Sequence, residues 1–247
     1  MPSDTPDSPK AQDVQDAQDA RPAGGRPAAP LTARALLLDM DGTLVDSDAA
    51  VERVWRDWAA GHGLDGDEVM KVVHGRQGHA TMAELLPGRP MEVNHAENRR
   101  LLERETADTE GVVPVPGAPA FLSAIEHLPH ALVTSASVPL ATARMNAAGL
   151  RMPPVRVTAE SVGAGKPHPE GFLKAAGELG FAPEECVVFE DSGAGVAAGR
   201  AAGMRVVGVG PRAAAFGPTA HVPTLEGIRV EPLPGGGLRL HLAPGPR

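Results

Sequence analysis

An α/β architecture is expected of this sequence: a parallel sheet flanked by helices, with a small helical unit inserted after the first strand. Three observations carry that expectation. Leu36-Leu37-Leu38 is a short apolar run that stops at Asp39-Met40-Asp41-Gly42, as a strand buried on both faces stops at a turn. Residues 50–112 then show helical spacing and no strand pattern. From Val112 onward short apolar runs alternate with amphipathic stretches, the pattern of repeated β-α units.

Taken in order, residues 1–33 hold Asp, Gln, Pro, Ala and Gly with almost no large apolar side chain. Such a composition cannot bury enough surface to offset ordering entropy, so a disordered tail is expected there. Residues 34–49 are expected to form the first part of the core. Val51, Val54, Trp55, Trp58 and Ala59 fall on one helical face opposite Glu52, Arg53, Arg56 and Asp57, and Gly61 and Gly63 end that helix. Further helices are expected over 67–73, 80–86 and 92–106. The last carries the charged run Glu97-Asn98-Arg99-Arg100, which reads as a solvated face, while the two tryptophans read as packing between helices.

Residues 113–247 are expected to resume the core. Phe121, Leu122, Ile125 and Leu128 make the stripe of one helix, and Ala131-Leu132-Val133 a strand that ends in Thr134-Ser135-Ala136-Ser137. A helix over 139–148 stops at Gly149, and the strand Val155-Arg156-Val157 leads to Gly165-Lys166-Pro167. After a helix carrying Phe172, Leu173, Ala176 and Leu179, the strand 186–189 runs into Glu190-Asp191-Ser192-Gly193, and 205–209 is the next strand. Two apolar runs around Pro234-Gly235-Gly236-Gly237 predict a C-terminal hairpin.

A net charge of −8 with no basic run argues against nucleic acid and anionic membrane as partners, since both need basic patches. There is no basic start followed by an apolar stretch, and no window is apolar enough to span a bilayer. A cytoplasmic protein is therefore expected; a monomer is also expected, though no residue pattern carries that. The single cysteine, Cys186, excludes an intramolecular disulfide and sits in an apolar strand, which reads as a buried core thiol rather than a nucleophile.

Chemistry gathers at the strand ends, because ligands of open α/β sheets bind at the carboxyl edge. In extended backbone, residues i and i+2 project to one side, so Asp39 and Asp41 converge on one metal ion or one substrate. Magnesium suits them, since it takes oxygen ligands from one or two carboxylates plus water and phosphate. Asp-x-Asp-Gly also fits a capped turn. Three further strand ends complete the set that phosphoryl transfer requires: hydroxyl donors at Ser135 and Ser137, a positive charge at Lys166, and carboxylates for a magnesium shell at Glu190 and Asp191. Singly, Lys166 also fits a solvated lysine and Glu190-Asp191 a helix N-cap; jointly the four ends favour one site.

Asp39-x-Asp41-Gly42-Thr43, Ser135, Lys166-Pro167 and Glu190-Asp191 resemble, in order, motifs one to four of the haloacid dehalogenase-like hydrolase superfamily. The resemblance covers roughly residues 34–230 and implies a Rossmann-like parallel sheet core, with residues 50–112 as a small helical cap domain inserted after the first strand. Val51-Glu52-Arg53-Val54-Trp55, His74-Gly75-Arg76-Gln77, Thr106-x-x-Thr109-Glu110-Gly111 and Val133-Thr134-Ser135 are similar to bacterial sugar and hexitol phosphatases, with glycerol-3-phosphatases and 2-deoxyglucose-6-phosphatases close by.

By that resemblance Asp39 is the nucleophile and Asp41 the general acid and base, whose backbone carbonyl binds magnesium. Ser135 and Lys166 complete the catalytic set, and Asp39, Asp41, Glu190 and Asp191 hold Mg2+. His74, Arg76, Gln77 and His79 on the cap, with Ser137, are the expected substrate contacts. The implied reaction is hydrolysis of a small sugar or sugar-alcohol phosphate through an aspartyl-phosphate. The alternatives are a sugar phosphomutase of the β-phosphoglucomutase type, a phosphatase for glycerol 3-phosphate, or a non-catalytic binding protein on the same fold. Such mutases typically carry a histidine ten residues after the general acid and an arginine three after a glycine like Gly75, where this chain has Val51 and Gly78. Hydrolysis is the favoured outcome. A binding protein would be expected to lack Asp39 or Lys166, and both are present.

Overall fold

The computed structural model describes residues 30–242. The chain opens with β1 (Leu31–Ala33), β2 (Ala35–Leu38) and the short β3 (Val45–Asp46). Helices α1 (Asp48–Gly61), α2 (Gly66–Val73), α3 (Gly78–Leu85) and α4 (Met91–Ala107) follow without an intervening strand, as the periodicity predicts. β4 (Val113–Pro114) returns antiparallel to β3, a two-strand stem that brackets the helical insertion.

The rest alternates: α5 (Ala118–Ile125), β5 (His130–Val133), α6 (Val138–Ala147), β6 (Val155–Val157), α7 (Glu170–Leu179), β7 (Cys186–Glu190), α8 (Gly193–Ala201) and β8 (Arg205–Val209). A one-turn α9 (Gly210–Ala213), β9 (Ala220–Val222), β10 (Arg229–Pro232) and β11 (Leu238–His241) complete it. The central sheet has the order β6-β5-β2-β7-β8-β9, with every pair parallel, so the fold is the α/β parallel-sheet core expected. β2 lies in the middle, so Asp39, one residue past its end, is flanked by the ends of β5 and β7.

Because side chains alternate along a strand, β2 feeds two cores. Leu36 and Leu38 pack with Phe121, Ile125, Leu140 and Met145 on one face of the sheet. Ala35 and Leu37 pack with Phe172, Ala175, Ala176 and Val196 on the other. Cys186 is fully buried in that second layer, where burial pushes its thiol up to about 11. The helical insertion has a core of its own, in which Trp55 and Trp58 meet edge-on at 5.4 Å beside Met82 and Leu101. The tryptophans therefore pack, as their helical spacing predicts.

Three elements depart from the sequence reading. Residues 31–33, expected in the tail, form β1, because Leu31 and Ala33 register against Leu240 and Leu238 of β11. The predicted hairpin of β10 and β11 thus becomes a three-stranded antiparallel sheet. The remainder of the expected tail, residues 1–29, lies outside the described residues. β9 is a sixth parallel strand of three residues, too short for a periodicity signal. The run 97–100 is not wholly solvated: Arg99 and Arg100 are exposed, but Asn98 is buried and Glu97 accepts hydrogen bonds from Trp58 Nε1 at 2.9 Å and Arg89 Nη1 at 2.9 Å. Among the described residues no helix is long and apolar enough to cross a membrane.

Leu37 is completely buried at the centre of this arrangement. Leu37→Ala is expected to lower unfolding free energy in urea by about 2–5 kcal/mol at unchanged m-value, the cost of lost transfer plus a cavity. A loss below about 1 kcal/mol would show that the helices on that face collapse onto the gap.

Candidate active site

The loop after β2 is shaped by one carbonyl and one glycine. Met40 O accepts from the backbone N–H groups of Thr43, Leu44 and Val45 at 3.2, 2.8 and 2.9 Å. Asp39 N donates to Phe189 O at 3.0 Å, extending the β2–β7 ladder by a residue and fixing where the Asp39 side chain starts. Gly42 has φ +80°, and a Cβ there would lie 2.1 Å from Asp191 Oδ2. Only glycine lets the loop turn and pass so close to Asp191.

Lys166 is the centre of the site. Its Nζ donates to Asp39 Oδ1 at 2.5 Å, to Glu190 Oε1 at 2.7 Å and to Val133 O at 3.0 Å, using all three ammonium donors. The Phe172 ring covers it at 5.2 Å. The second oxygen of Glu190 accepts from Ser192 N at 2.8 Å and Ser192 Oγ at 3.0 Å. A Cβ on Gly195 would stand 1.6 Å from Glu190 Oε1, so the first turn of α8 must carry glycine there. Asp191 accepts from Arg212 Nη2 at 2.7 Å, and Arg212 also donates to Asp48 at 2.7 Å. Oxygen atoms of Asp39, Glu190 and Asp191 all lie within 4.8 Å of one another. This buried, hard-oxygen donor set suits a divalent cation.

Asp41 does not join that triad. Its carboxylate turns away to accept from Ser47 Oγ at 2.7 Å and to pair with Arg144 Nη1 at 2.9 Å. Asp39 and Asp41 line one cavity, but Ser47 and the buried Arg144 guanidinium hold the Asp41 carboxylate outside the acidic triad. Arg144, 3% exposed, also donates to Glu105 Oε2 at 3.1 Å, and so links α6 of the core to α4 of the insertion.

Sequence reasoning missed Arg144, Glu105, Asn98 and Arg212. A signal for the first three existed. Leu140, Ala141, Arg144 and Met145 make one buried face of α6, and Asn94, Asn98, Leu101 and Glu105 make that of α4. Polar residues at helical spacing within an apolar stripe mark a buried polar site. Arg212 follows β8, one more strand end.

The other expected residues divide. Ser135 Oγ donates to Gly75 O at 3.0 Å, bridging core and insertion above Asp39. Ser135, His74 and Arg76 line the same cavity as Asp39 and Asp41, which holds about 640 Å³ of empty space with its open mouth included. Within it Arg76 pairs with Glu84, and His74 Nε2 lies 3.5 Å from Arg212 Nη1. Gln77 faces the Lys166 side instead, and its Nε2 donates to Ala159 O at 3.3 Å. His79 stacks on His95 at 4.3 Å. Ser137 is occupied as the N-cap of α6, accepting from Leu140 N at 3.4 Å, and does not line the cavity. Thr134 Oγ1 accepts from Ala136 N at 3.0 Å.

The model of the haloacid dehalogenase-like hydrolases matches residues 33–203, which span β2, the insertion and the four strand ends up to Asp191. The chain belongs to that family. It is 46% identical over 181 residues to hexitol phosphatase A of Escherichia coli (strain K12), covering 72% of this chain and 84% of that protein. It is 34% identical over 192 residues to glycerol-1-phosphate phosphohydrolase 2 of Saccharomyces cerevisiae, covering 72% and 75%. The crystal structure of β-phosphoglucomutase from Clostridium difficile shares the fold, with a TM-score of 0.69 at 21% identity over 78% of this chain and 92% of that one. The curated relatives are phosphoric monoester hydrolases by name, the enzyme class expected.

In this haloacid dehalogenase-like hydrolase the acidic cluster is electrostatically costly on its own. Burial raises the Asp39 carboxyl well above the usual carboxylate range and Glu190 adds to the shift, while Lys166 opposes it. Burial and Glu190 likewise push Asp191 up to about 7, against Arg212. Burial alone would lower the Lys166 ammonium, but Asp39 and Glu190 hold it above the ordinary lysine value. Glu105 is pushed up to about 7 by burial, against Arg144. His74 is held below the usual imidazole value by burial and by Arg212.

Folded Asp191 keeps its proton up to about pH 7, whereas the unfolded residue loses it near 3.8, so the metal-free protein loses stability from this group as pH climbs through that window. Glu105 acts in the same direction and His74 in the opposite one. Asp191→Asn isolates the effect. In chelator, the stability of this variant relative to wild type should grow by a few kcal/mol between about pH 4 and pH 7 in urea unfolding. A divalent cation bound at the triad would shrink that gap at the upper end. A difference that stays flat with pH would assign Asp191 an ordinary carboxyl.

Proposed function

We propose that this chain is a cytoplasmic, monomeric, magnesium-dependent phosphatase that hydrolyses small sugar or sugar-alcohol phosphates through an aspartyl-phosphate at Asp39. The observation that carries this reading is the Lys166 clamp. It fixes Asp39 Oδ1 at 2.5 Å and leaves Oδ2 out of the clamp, in a residue that lines a cavity shared with the second carboxylate, Asp41. A positioned carboxylate nucleophile next to a separate acid and base is what a two-step transfer to water requires.

In the first step Asp39 Oδ2 attacks phosphorus, the bond to the leaving oxygen breaks, and Asp41 gives that oxygen its proton. In the second, Asp41 takes a proton from water as the water oxygen attacks the phosphorus of the aspartyl-phosphate; inorganic phosphate leaves and Asp39 is regenerated. Lys166, whose three donors stay on Asp39, Glu190 and Val133 O, supplies positive charge beside the phosphoryl group and keeps Asp39 in place, and the Ser135 hydroxyl, on turning from Gly75 O, holds a phosphoryl oxygen. Asp39, Asp191 and the Asp41 backbone carbonyl would hold magnesium, while Glu190, whose oxygens are taken by Lys166 and Ser192, contributes charge. When bound, the ion neutralises charge on the transferring group.

Two further observations support hydrolysis over return transfer. Val51 is an apolar, buried wall of the cavity, and a Cβ on Gly78 would meet Asn98 Oδ1 at 2.2 Å. Neither position offers a clamp for a second phosphate. The cap encloses a small substrate, and the 34% identity to a glycerol-1-phosphate phosphohydrolase makes glycerol phosphates the second substrate class.

Release of inorganic phosphate from hexose 6-phosphates, hexitol phosphates, fructose 1-phosphate, ribose 5-phosphate, glycerol phosphates and phosphoglycolate, with magnesium and with chelator, tests the reading. Release should require magnesium, favour sugar or polyol phosphates, and fall by about 10³-fold or more in Asp39→Asn. No release from any member of the panel, or isomerisation of a hexose 1-phosphate instead, would sink it.

A further inference from the structure

We propose that Asn98, Glu105 and Arg144 form a subsite that reads the hydroxyl groups of the leaving alcohol, selecting uncharged polyols over alcohols that carry a carboxylate. This rests on the phosphatase reading and adds its specificity wall. Two atoms carry the inference. Asn98 Oδ1 and Arg144 Nε are buried and have no hydrogen-bond partner among the described residues. Asn98 is 9% exposed and Arg144 3%, and both line the cavity that holds Asp39 and Asp41. Buried polar groups in folded proteins are paired as a rule, and an orphan calls for a missing partner.

The chemistry of the orphans defines that partner. One is an acceptor and the other a donor, and a hydroxyl group both donates and accepts. A polyol, which carries several hydroxyls on one chain, can offer one to each. The wall holds no spare positive charge for an anion, because Asp41 and Glu105 already take the guanidinium at 2.9 and 3.1 Å. A carboxylate here would meet two carboxyl groups and no free cation. The wall is also fixed in place: the backbone at Gly78 packs so tightly on the Asn98 amide that a methyl group would not fit between them. Arg144 touches Asp41, so the hydroxyls it reads are those near the ester oxygen that Asp41 protonates.

The test measures kcat/KM for a hexitol 6-phosphate and for phenyl phosphate, whose leaving group carries no alcohol hydroxyl, in wild type, Asn98→Leu and Asn98→Ser. The hexitol-to-phenyl ratio should fall about tenfold or more in Asn98→Leu and by less in Asn98→Ser, which keeps a polar group. The Ser variant alone decides the matter if the Leu variant does not fold. Wild type should also prefer glycerol 3-phosphate to phosphoglycolate, with Glu105→Gln narrowing that preference. Turnover of neither substrate by wild type would overturn the phosphatase reading itself. Turnover of both, with the ratio unmoved by either Asn98 variant, would overturn the subsite and leave the phosphatase standing.

Discussion

The Lys166 ammonium is the group on which the site depends. Its three donors reach Asp39 just past β2, Glu190 at the end of β7 and the Val133 carbonyl at the end of β5, so one side chain ties three adjacent strands at their carboxyl edge. Two buried carboxylates this close are tolerated only with a cation between them, since an uncompensated buried charge is far more costly than a paired one. The requirement propagates outward. Gly195 must lack a side chain for Glu190 to fit, Gly42 must lack one for Asp191 to fit, and Ser192 must cap α8 while bonding Glu190. Arg212 then supplies the charge that Lys166, with every donor used, cannot give to Asp191.

The two aspartates of the loop face different electrostatic surroundings although a single residue separates them. Asp39 sits among carboxylates that are short of positive charge, an arrangement that favours a cation and a phosphate together. Asp41 shares one guanidinium with one further carboxyl group and accepts from a serine hydroxyl. Ser47 and Arg144 hold the Asp41 carboxylate apart from the acidic triad, a separation that the proposed division of roles between the two aspartates would use.

Much of this organisation is legible in the amino-acid sequence. The four strand ends are readable because a short apolar run broken by polar residues has one interpretation in a β-α alternation, and the sheet order then brings those ends together. What escapes reading does so for physical reasons. β1 and β9 have three residues each, and β1 forms only because β11, at the far end of the described chain, supplies apolar partners for Leu31 and Ala33. Ser137 suits a helix N-cap and a phosphate contact equally well as a residue type, and the position of α6 decides for the cap. Asn98 sits between Glu97 and Arg99, so its neighbours in sequence suggest solvent, whereas its neighbours on the helix face are Asn94, Leu101 and Glu105. The stripe of α4, rather than its charge run, is the feature that marks the polar wall.

The helical insertion meets the sheet layer near the site through polar contacts as well as through Ala50 and Leu102, which bears on how a substrate acts there. The insertion keeps its own apolar core, and above the site it meets the rest of the chain through Ser135 with Gly75, Gln77 with Ala159, Arg144 with Glu105 and Arg212 with Asp48. Polar contacts of this kind exchange for water or for substrate groups at small net cost, whereas an apolar seam would not. The orphaned Asn98 oxygen and Arg144 nitrogen add to this: each is a desolvated group whose cost is relieved only when a ligand supplies a partner. A hydroxyl-bearing leaving group between α4 and α6 would therefore favour the arrangement that holds Glu105 of the insertion against Arg144 of the core. A leaving group with no further hydroxyl would leave both atoms unpaired, so in the proposed subsite substrate recognition and the placing of Asp41 would be coupled through one guanidinium.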